Sequence, residues 1–230
     1  MRPRGPQRKS RMRPFWFRLL PVLLALLVTC DAPAHARVLP RVALEALLAL
    51  GPRHVRTVSW ASTLAPIEVS NPSTRASARI SFYDPAGDID EAARKEFERV
   101  ASREPTPHRL NLRVEQLVFK AAQHFGARSV AIVSGWRARG GRHATGEAID
   151  FRLSGVYAPQ VAAYLRGLPR VGVGIYTHPD TQFVHIDVRE PSYAWIDGSP
   201  PGVHGWERRL WVPHSDKRDA GYEPEMDLPE

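Results

Sequence analysis

The chain has 230 residues, of which 43% are hydrophobic, so it can form one domain of ordinary size with a buried core. Its formal net charge of +8 is concentrated at the start, because residues 1–36 hold seven basic residues and one acidic residue. The rest of the chain holds 25 basic and 23 acidic residues, a net charge of +2, which removes the basis for a nucleic-acid-binding protein.

The first 36 residues have the three parts of a secretory signal peptide. Residues 1–18 are positively charged, residues 19–28 form a short apolar run, and residues 34–36 (AHA) are a small-x-small cleavage site. We therefore expect export, to the periplasm or the exterior. The alternatives are an uncleaved anchor or a lipid on Cys30, and either would hold the protein at a membrane. After cleavage no cysteine remains, so no disulfide can support the domain.

Residues 37–54 form an N-terminal segment with a predicted helix, RVALEALLALGP (41–52), which the Gly-Pro pair ends. Two strands are predicted after it, in HVRTVSWAS (54–62) and ARISFYD (78–84), on either side of a Ser/Asn/Pro turn. Two amphipathic helices follow. Asp88 and Glu91 resemble a capping box for the first helix, and Asn111 can cap the second.

Four more strands are predicted between residues 129 and 189, in SVAIVSG, AIDFRL, VGVGIY and QFVHIDVR. A helix, APQVAAYLRGL, lies between the second and the third. Residues 196–230 are rich in proline and charge, and predict a mostly unstructured tail that Trp206 and Trp211 can hold in part. The pattern predicts an α+β domain over residues 55–195, with a central, mainly antiparallel sheet and flanking helices.

Side chains alternate between the two faces of a strand, which groups the polar residues of two of these strands. In QFVHIDVR, His185 and Asp187 share the face opposite the apolar residues. In AIDFRL, Asp150 points away from its apolar neighbours, and His143 precedes it by seven positions in the glycine-rich loop GGRHATGE. His143, Asp150 and His185 can therefore converge over one face of the sheet.

Two imidazoles and one carboxylate are a ligand set suited to zinc, and catalytic zinc sites combine three protein ligands with an open fourth position for water. Zinc lowers the pKa of such a water from ~15.7 to about 7. We therefore predict that His143, Asp150 and His185 bind one Zn²⁺. The same ligands can also accept Mn²⁺, Co²⁺ or Fe²⁺ in vitro.

Five motifs together resemble the YcbK-like (MepK-type) murein endopeptidases, a branch of the zinc D-Ala-D-Ala peptidase superfamily. They are Ser134-Gly135-Trp136-Arg137, His143 to Asp150, Gly172 to Tyr176, Phe183 to Asp187, and Trp195. The resemblance covers roughly residues 55 to 195. It implies hydrolysis of peptidoglycan stem peptides or cross-links, with the same three zinc ligands. It also implies that Arg137 stabilises the oxyanion as the scissile carbonyl is attacked.

The resemblance leaves the general base open. Several relatives have a glutamate three residues before the last histidine ligand, where this chain has Gln182, which cannot take up a proton. Asp187 is our preferred acid/base residue, and the alternative is that its carboxylate orients His185 by accepting the other N–H of the ring. Glu147 is a weaker candidate for the base.

Two other functions remain open within the same resemblance. One is a D-Ala-D-Ala or L,D carboxypeptidase that trims uncrosslinked stems. The other is a non-catalytic peptidoglycan-binding domain of the same fold, which the glutamine at position 182 favours. For each of them we expect a monomer whose partners are peptidoglycan stem peptides.

Overall fold

The computed structural model describes residues 60–106, 108–203, 205 and 207–229. Eight strands form one sheet: β1 (Ile67–Asn71), β2 (Ala76–Ile80), β3 (Ser129–Ser134), β4 (Ala148–Leu153), β5 (Val171–Tyr176), β6 (Val184–Val188), β7 (Tyr193–Asp197) and β8 (Glu207–Leu210). The described residues also form four α-helices: α1 (Glu91–Ala101), α2 (Leu112–His124), α3 (Ala158–Leu165) and α4 (Ser215–Ala220).

The strand order across the sheet is β2-β1-β3-β4-β6-β5-β7-β8. Five of the seven neighbouring pairs are antiparallel, and the pairs β1–β3 and β5–β7 are parallel. The predicted class, an α+β fold with a central, mainly antiparallel sheet and flanking helices, is therefore confirmed.

The two faces of the sheet divide as strand alternation predicts. Ile149 and Phe151 on β4 and Ile186 on β6 are fully buried in the hydrophobic core. Helix α1 packs against β1 and β2, and helix α3 packs against β5 and β6. The residues between these apolar positions, among them Asp150 and His185, point to the opposite face of the sheet.

The first hairpin lies later in the chain than the sequence indicated. Its strands are β1 and β2, whereas residues 60–63 form a short 3-10 helix where the end of a strand was predicted. In β1, Ile67 and Val69 are buried and Glu68 between them is exposed, so this strand has the alternation of a half-buried strand. Asn71 begins the turn, because its side chain accepts a hydrogen bond from the Ser73 backbone N–H.

The cap of helix α1 also differs from the prediction. The N-cap is Asp90, whose carboxylate accepts hydrogen bonds from the backbone N–H groups of Ala92 and Ala93. Asp88 instead belongs to the preceding turn, where its backbone N–H donates to the side chain of Asp84. Asn111 caps helix α2 as predicted, by accepting from the Arg113 backbone N–H.

The prediction of a mostly unstructured C-terminal tail is wrong for the described residues, which include β8 and α4. The Asp219 side chain accepts hydrogen bonds from the backbone N–H groups of Arg170 and Ser192, both at 2.7 Å. The Asp227 carboxylate lies 2.7 Å from Nε of Arg113 on helix α2. Trp211, expected to hold the tail, is 82% exposed.

Several predictions concern residues outside the described part of the chain. They are the signal peptide of residues 1–36, including Cys30, the helix predicted at 41–52, most of the strand predicted at 54–62, and Trp206. Among the helices that the structure describes, none combines the length and apolarity needed to cross a membrane.

Candidate metal centre

The structure brings His143, Asp150 and His185 together on one face of the sheet. One ligand atom from each residue lies within 4.8 Å of the other two, and all three residues are buried. His143 follows β3 in a loop, Asp150 lies on β4, and His185 lies on β6. The convergence expected from the sequence is therefore present in the fold.

Two features of the glycine-rich loop position His143. The segment Gly141–His143 forms a single 3-10 turn, in which the backbone N–H of His143 donates to the carbonyl of Gly140 and that of Ala144 donates to the carbonyl of Gly141. Gly146 has a φ of +75°, and a Cβ there would lie 2.6 Å from the carbonyl oxygen of Arg109. Only glycine combines this left-handed conformation with such close backbone packing, so the loop can turn sharply into β4.

Strand register positions the other two candidate ligands. Asp150 and His185 are direct partners across the antiparallel pair β4–β6. Nδ1 of His185 lies 2.7 Å from Oδ1 of Asp150, and Nε2 of His143 lies 3.4 Å from Oδ2 of the same carboxylate. The two facing nitrogens of the histidines are 3.2 Å apart. These three side chains therefore direct their donor atoms to one point.

The outer nitrogen of each imidazole is already bonded. Nδ1 of His143 lies 2.7 Å from the carbonyl oxygen of Gly135, which can only accept a hydrogen bond. Nε2 of His185 lies 3.1 Å from Oδ2 of Asp187. Both outer nitrogens therefore carry protons, which leaves Nε2 of His143 and Nδ1 of His185 as the possible ligand atoms.

The charges in the cluster favour a cation. Burial alone would lower the pKa of His185, but hydrogen bonds to Asp150 and Asp187 raise it to about 9. Burial would raise the pKa of Asp150, but its bonds to His143 and His185 hold it well below the usual range. The hydrogen bond of 2.7 Å between Nδ1 of His185 and Oδ1 of Asp150 therefore joins two atoms that a divalent cation would also contact.

This donor set fits zinc. It provides two nitrogens and one carboxylate oxygen at positions buried enough to be rigid, with the rings oriented by the Gly135 carbonyl and the Asp187 carboxylate. Such outer partners fix the tautomer and orientation of metal-binding histidines. The side chains of Asp150 and His185 remain 8% and 10% exposed, so a small part of each residue contacts solvent.

Arg137 lies at the edge of the cluster. Its Nη2 is 4.0 Å from Oδ2 of Asp150, and its side chain is 47% exposed. Its backbone N–H donates to the carbonyl of His143, and the indole of the preceding Trp136 donates to the carbonyl of Ala144. These two bonds tie the start of the loop between β3 and β4 to the turn that carries His143, and the guanidinium of Arg137 faces solvent beside Asp150.

Asp187 is fully buried behind His185. Besides His185, its carboxylate accepts hydrogen bonds from Nε and Nη2 of Arg189, and Nε of Arg142 lies 3.4 Å from Oδ1. Burial would raise its pKa, but the bonds to His185 and Arg189 lower it. The carboxylate is therefore ionised and lies on the side of the ring away from the other two candidate ligands.

Trp195 forms a wall of the site as well as part of the buried interior. Only 6% of it is exposed, and its ring centroid lies 5.0 Å from that of His185. Gly174 on β5 makes this contact possible, because a Cβ there would lie 2.5 Å from the indole ring. The sequence motif Gly-x-Gly-x-Tyr thus has a packing role in the site.

The side chains of Gln182 and Glu147 are not among the three that converge as candidate ligands. Gln182 is an exposed turn residue with φ of +36°, and it lines a cavity with Tyr157 and Val184. Glu147 forms an ion pair with Arg142 at 3.0 Å. Sequence reasoning missed Arg142 and Arg189 as the cations that hold Asp187, although alternation along QFVHIDVR places Arg189 on the same face as Asp187.

One family matches part of the chain. The Peptidase M15 family model matches residues 91–187, which include Arg137, the three candidate ligands and Asp187 but end before β7 and β8. No curated protein and no solved structure shows a significant match. The match and the His-Asp-His cluster together support a metal-dependent peptidase related to family M15.

Proposed function

We propose that this protein is an exported zinc peptidase that hydrolyses stem peptides or peptide cross-links of peptidoglycan. The observation that carries the proposal is the convergence of three buried donor atoms, from His143, Asp150 and His185, with both imidazoles oriented from outside. The similarity of residues 91–187 to Peptidase M15 supports peptide hydrolysis. The signal-like sequence of residues 1–36 supports export, because peptidoglycan lies outside the inner membrane.

In this proposal a zinc ion would be held by Nε2 of His143, Nδ1 of His185 and the carboxylate of Asp150. Zinc in such a site acts as a Lewis acid, which polarises a peptide carbonyl and makes a water molecule nucleophilic near neutral pH. The protein keeps both rings in one tautomer and one orientation through Gly135 and Asp187. These contacts reduce the reorganisation needed when substrate binds.

Arg137 stabilises the developing negative charge on the scissile carbonyl oxygen. Its guanidinium is close to Asp150 yet half exposed, so it can contact a substrate that enters from solvent. A fixed cation at the position where an oxyanion forms lowers the barrier, because the charge appears only in the transition state.

We assign to Asp187 an orienting role, the second of the two roles that the sequence left open. Its oxygens are engaged by His185 and Arg189, and the residue has no exposed surface. A general base needs access to the proton of the attacking water, which such a carboxylate does not have. By accepting the Nε2–H of His185, it instead directs Nδ1 toward the candidate metal position.

Metal analysis and product analysis together test the proposed function. The full chain purified with zinc should contain one zinc per molecule and should release new peptides from sacculi, identified by mass spectrometry. His143→Ala should lose both properties, whereas His178→Ala, which changes a histidine outside the cluster, should keep both.

The products also separate the alternatives. Cleavage of cross-linked dimers identifies an endopeptidase, and loss of a terminal D-alanine from monomers identifies a carboxypeptidase. Binding to sacculi without any product from the zinc-loaded wild type would overturn the proposed function and leave the non-catalytic binding domain.

A further inference from the structure

A row of side chains, from the buried Trp195 through Tyr193 to the exposed Arg209, runs from the candidate metal centre to the last strand of the sheet. Trp195 contacts His185, and the Tyr193 ring centroid lies 5.8 Å from that of Trp195. The guanidinium of Arg209 on β8 lies over the Tyr193 ring at 5.1 Å. Strand register agrees with these contacts, because Trp195 pairs with Arg209 across β7–β8 and with Gly174 across β5–β7.

Two arginines stack on Tyr193 but differ in their charge partners. Arg189, at 5.4 Å from the ring centroid, is neutralised by the Asp187 carboxylate. Arg209 is exposed and has no ion pair within the part of the chain that the structure describes. Stacking on an aromatic ring restrains a guanidinium without satisfying its five donors. Arg209 is therefore a positioned cation whose donors have no hydrogen-bond partner among the described residues.

Arg209 also borders a cavity of about 430 Å³. Tyr193 and the exposed Trp211 line the same cavity, and its wall includes Asp216 at the start of helix α4. Asp216 forms no ion pair with Arg209 among the described residues. A cation beside aromatic walls, open to solvent, is suited to a planar anionic group such as a carboxylate, which a guanidinium can bind through two parallel hydrogen bonds.

The distance between the candidate metal centre and Arg209 limits which substrates can reach both. Strands β6 and β8 are separated by three strand spacings, or roughly 14 Å at the backbone. An extended peptide covers that distance in about four residues. A short peptide with its scissile bond beside His185 therefore places a carboxylate at Arg209 only if the acidic group lies within a few residues of that bond.

We propose that Arg209 binds a carboxylate of the substrate peptide, a few residues from the bond that is cut. This inference rests on the proposed function, because it assumes a peptide substrate at the metal centre. Strand β8 lies outside the residues that match Peptidase M15, so this subsite is a feature of the C-terminal segment of this chain. Arg209 selects for acidic peptides and takes no part in the chemical step.

The test compares two probes on four proteins. The probes are a synthetic stem pentapeptide with free carboxylates and the same peptide with those carboxylates converted to amides. The proteins are the zinc-loaded full chain, Arg209→Gln, Arg209→Lys and the control Arg208→Gln. Arg208 is exposed, lies on the same strand and points to the opposite face, so its substitution removes the same charge without touching Tyr193. Binding is measured calorimetrically, and kcat and KM are measured where hydrolysis occurs.

For the acidic probe, Arg209→Gln should weaken binding about ten-fold, with an equal rise in KM and an unchanged kcat. It should not affect the amidated probe, and Arg209→Lys should recover part of the loss. Arg208→Gln should behave like wild type with both probes. These effects are measured as binding, so they test the inference even if no probe is hydrolysed. An absence of hydrolysis would count against the proposed function and not against the role of Arg209.

Three results would overturn the inference. The first is equal loss in Arg208→Gln and Arg209→Gln, which would show an effect of net charge only. The second is that wild type binds both probes equally well, or binds neither. The third is Arg209-dependent binding of a peptide-free glycan disaccharide, which would show that Arg209 binds the glycan part of peptidoglycan.

Discussion

Asp187 and the metal-facing nitrogen of His185 lie on opposite sides of one imidazole ring. Oδ2 of Asp187 is 3.1 Å from Nε2, while Nδ1 on the other side is 2.7 Å from Asp150. The fully buried carboxylate thus polarises the imidazole ring and increases the electron density on Nδ1, which faces the candidate metal position. This arrangement makes a metal-binding ring more basic and fixes its direction.

The orienting role of Asp187 predicts a defect in metal binding. In Asp187→Asn the amide cannot give His185 the same charged acceptor, so zinc affinity should fall by about 10- to 100-fold. At saturating zinc, kcat should recover to within a few-fold of wild type. Chelator competition and kinetics across zinc concentrations measure the two effects. A collapse of kcat with unchanged zinc affinity would instead establish Asp187 as the acid/base residue.

Arg137 should affect the chemical step without affecting metal content. Removal of one positioned oxyanion donor typically costs about 10²–10³ in kcat, and we expect a loss of this size in Arg137→Ala. Arg139→Ala is the matched control, because Arg139 is an exposed arginine in the same loop. Steady-state kinetics and zinc analysis of both variants test the prediction. If kcat falls equally in the two variants, the loss comes from the net charge of the loop and not from an oxyanion contact of Arg137.

Metal affinity should rise with pH up to about 9. In the metal-free protein the pKa of His185 is raised to about 9, so at lower pH the ring carries a proton that the metal must displace. Each pH unit below that value should weaken apparent zinc affinity by up to about ten-fold. Chelator competition between pH 6 and 9 gives the slope. Asp187→Asn should flatten it, since Asp187 helps to raise this pKa, and a flat wild-type profile would contradict the prediction.

Glu115 should make the fold less stable as pH rises. Burial raises its pKa to about 8 although Arg94 lies 2.6 Å away, and its second oxygen is buried with no hydrogen-bond partner among the residues that the structure describes. The folded pKa exceeds the unfolded value, so the stability from this group is present below about pH 4.5 and is lost as pH rises through 8.

Urea unfolding at pH 5 and pH 8 tests this sign. Glu115→Gln mimics the protonated form, so its free energy of unfolding should lie within about 1 kcal/mol of the wild-type value at pH 5 and exceed it at pH 8 by about 4 kcal/mol. Glu96→Gln serves as the control, because Glu96 forms an exposed pair with Arg99. If Glu115→Gln is the less stable protein at pH 8, the ion pair with Arg94 dominates and the prediction is wrong.

The sequence predicted the central strands well because alternation is a strong signal where one face is buried. AIDFRL was predicted as a strand with Asp150 opposite its apolar residues, and β4 covers the same six residues. In β6 the same reasoning placed His185 and Asp187 on one face. In the structure His185 contacts Asp150, and Asp187 contacts His185. Spacing alone could not give the direct pairing of Asp150 with His185, which depends on how two distant segments align.

The sequence did not predict the C-terminal part of the fold, for a physical reason. Strand β8 has only four residues, ERRL, three of them exposed, so it carries no hydrophobic alternation. Its position depends on pairing with β7, and the following segment depends on Asp219 and Asp227, which bond to residues more than 25 positions away. Local patterns cannot reveal such long-range contacts, and Arg209 was therefore missed.

In the proposed zinc peptidase, the register of β4 against β6 makes zinc binding depend on correct strand pairing. A slip of either strand by one position would turn its acidic or imidazole group toward the helices and bring an apolar side chain to the metal position. Only the native alignment offers all three donors at once. During refolding, zinc should therefore bind only after β4 and β6 have paired in the native register. Chains trapped in a shifted register should remain metal-free even in excess zinc.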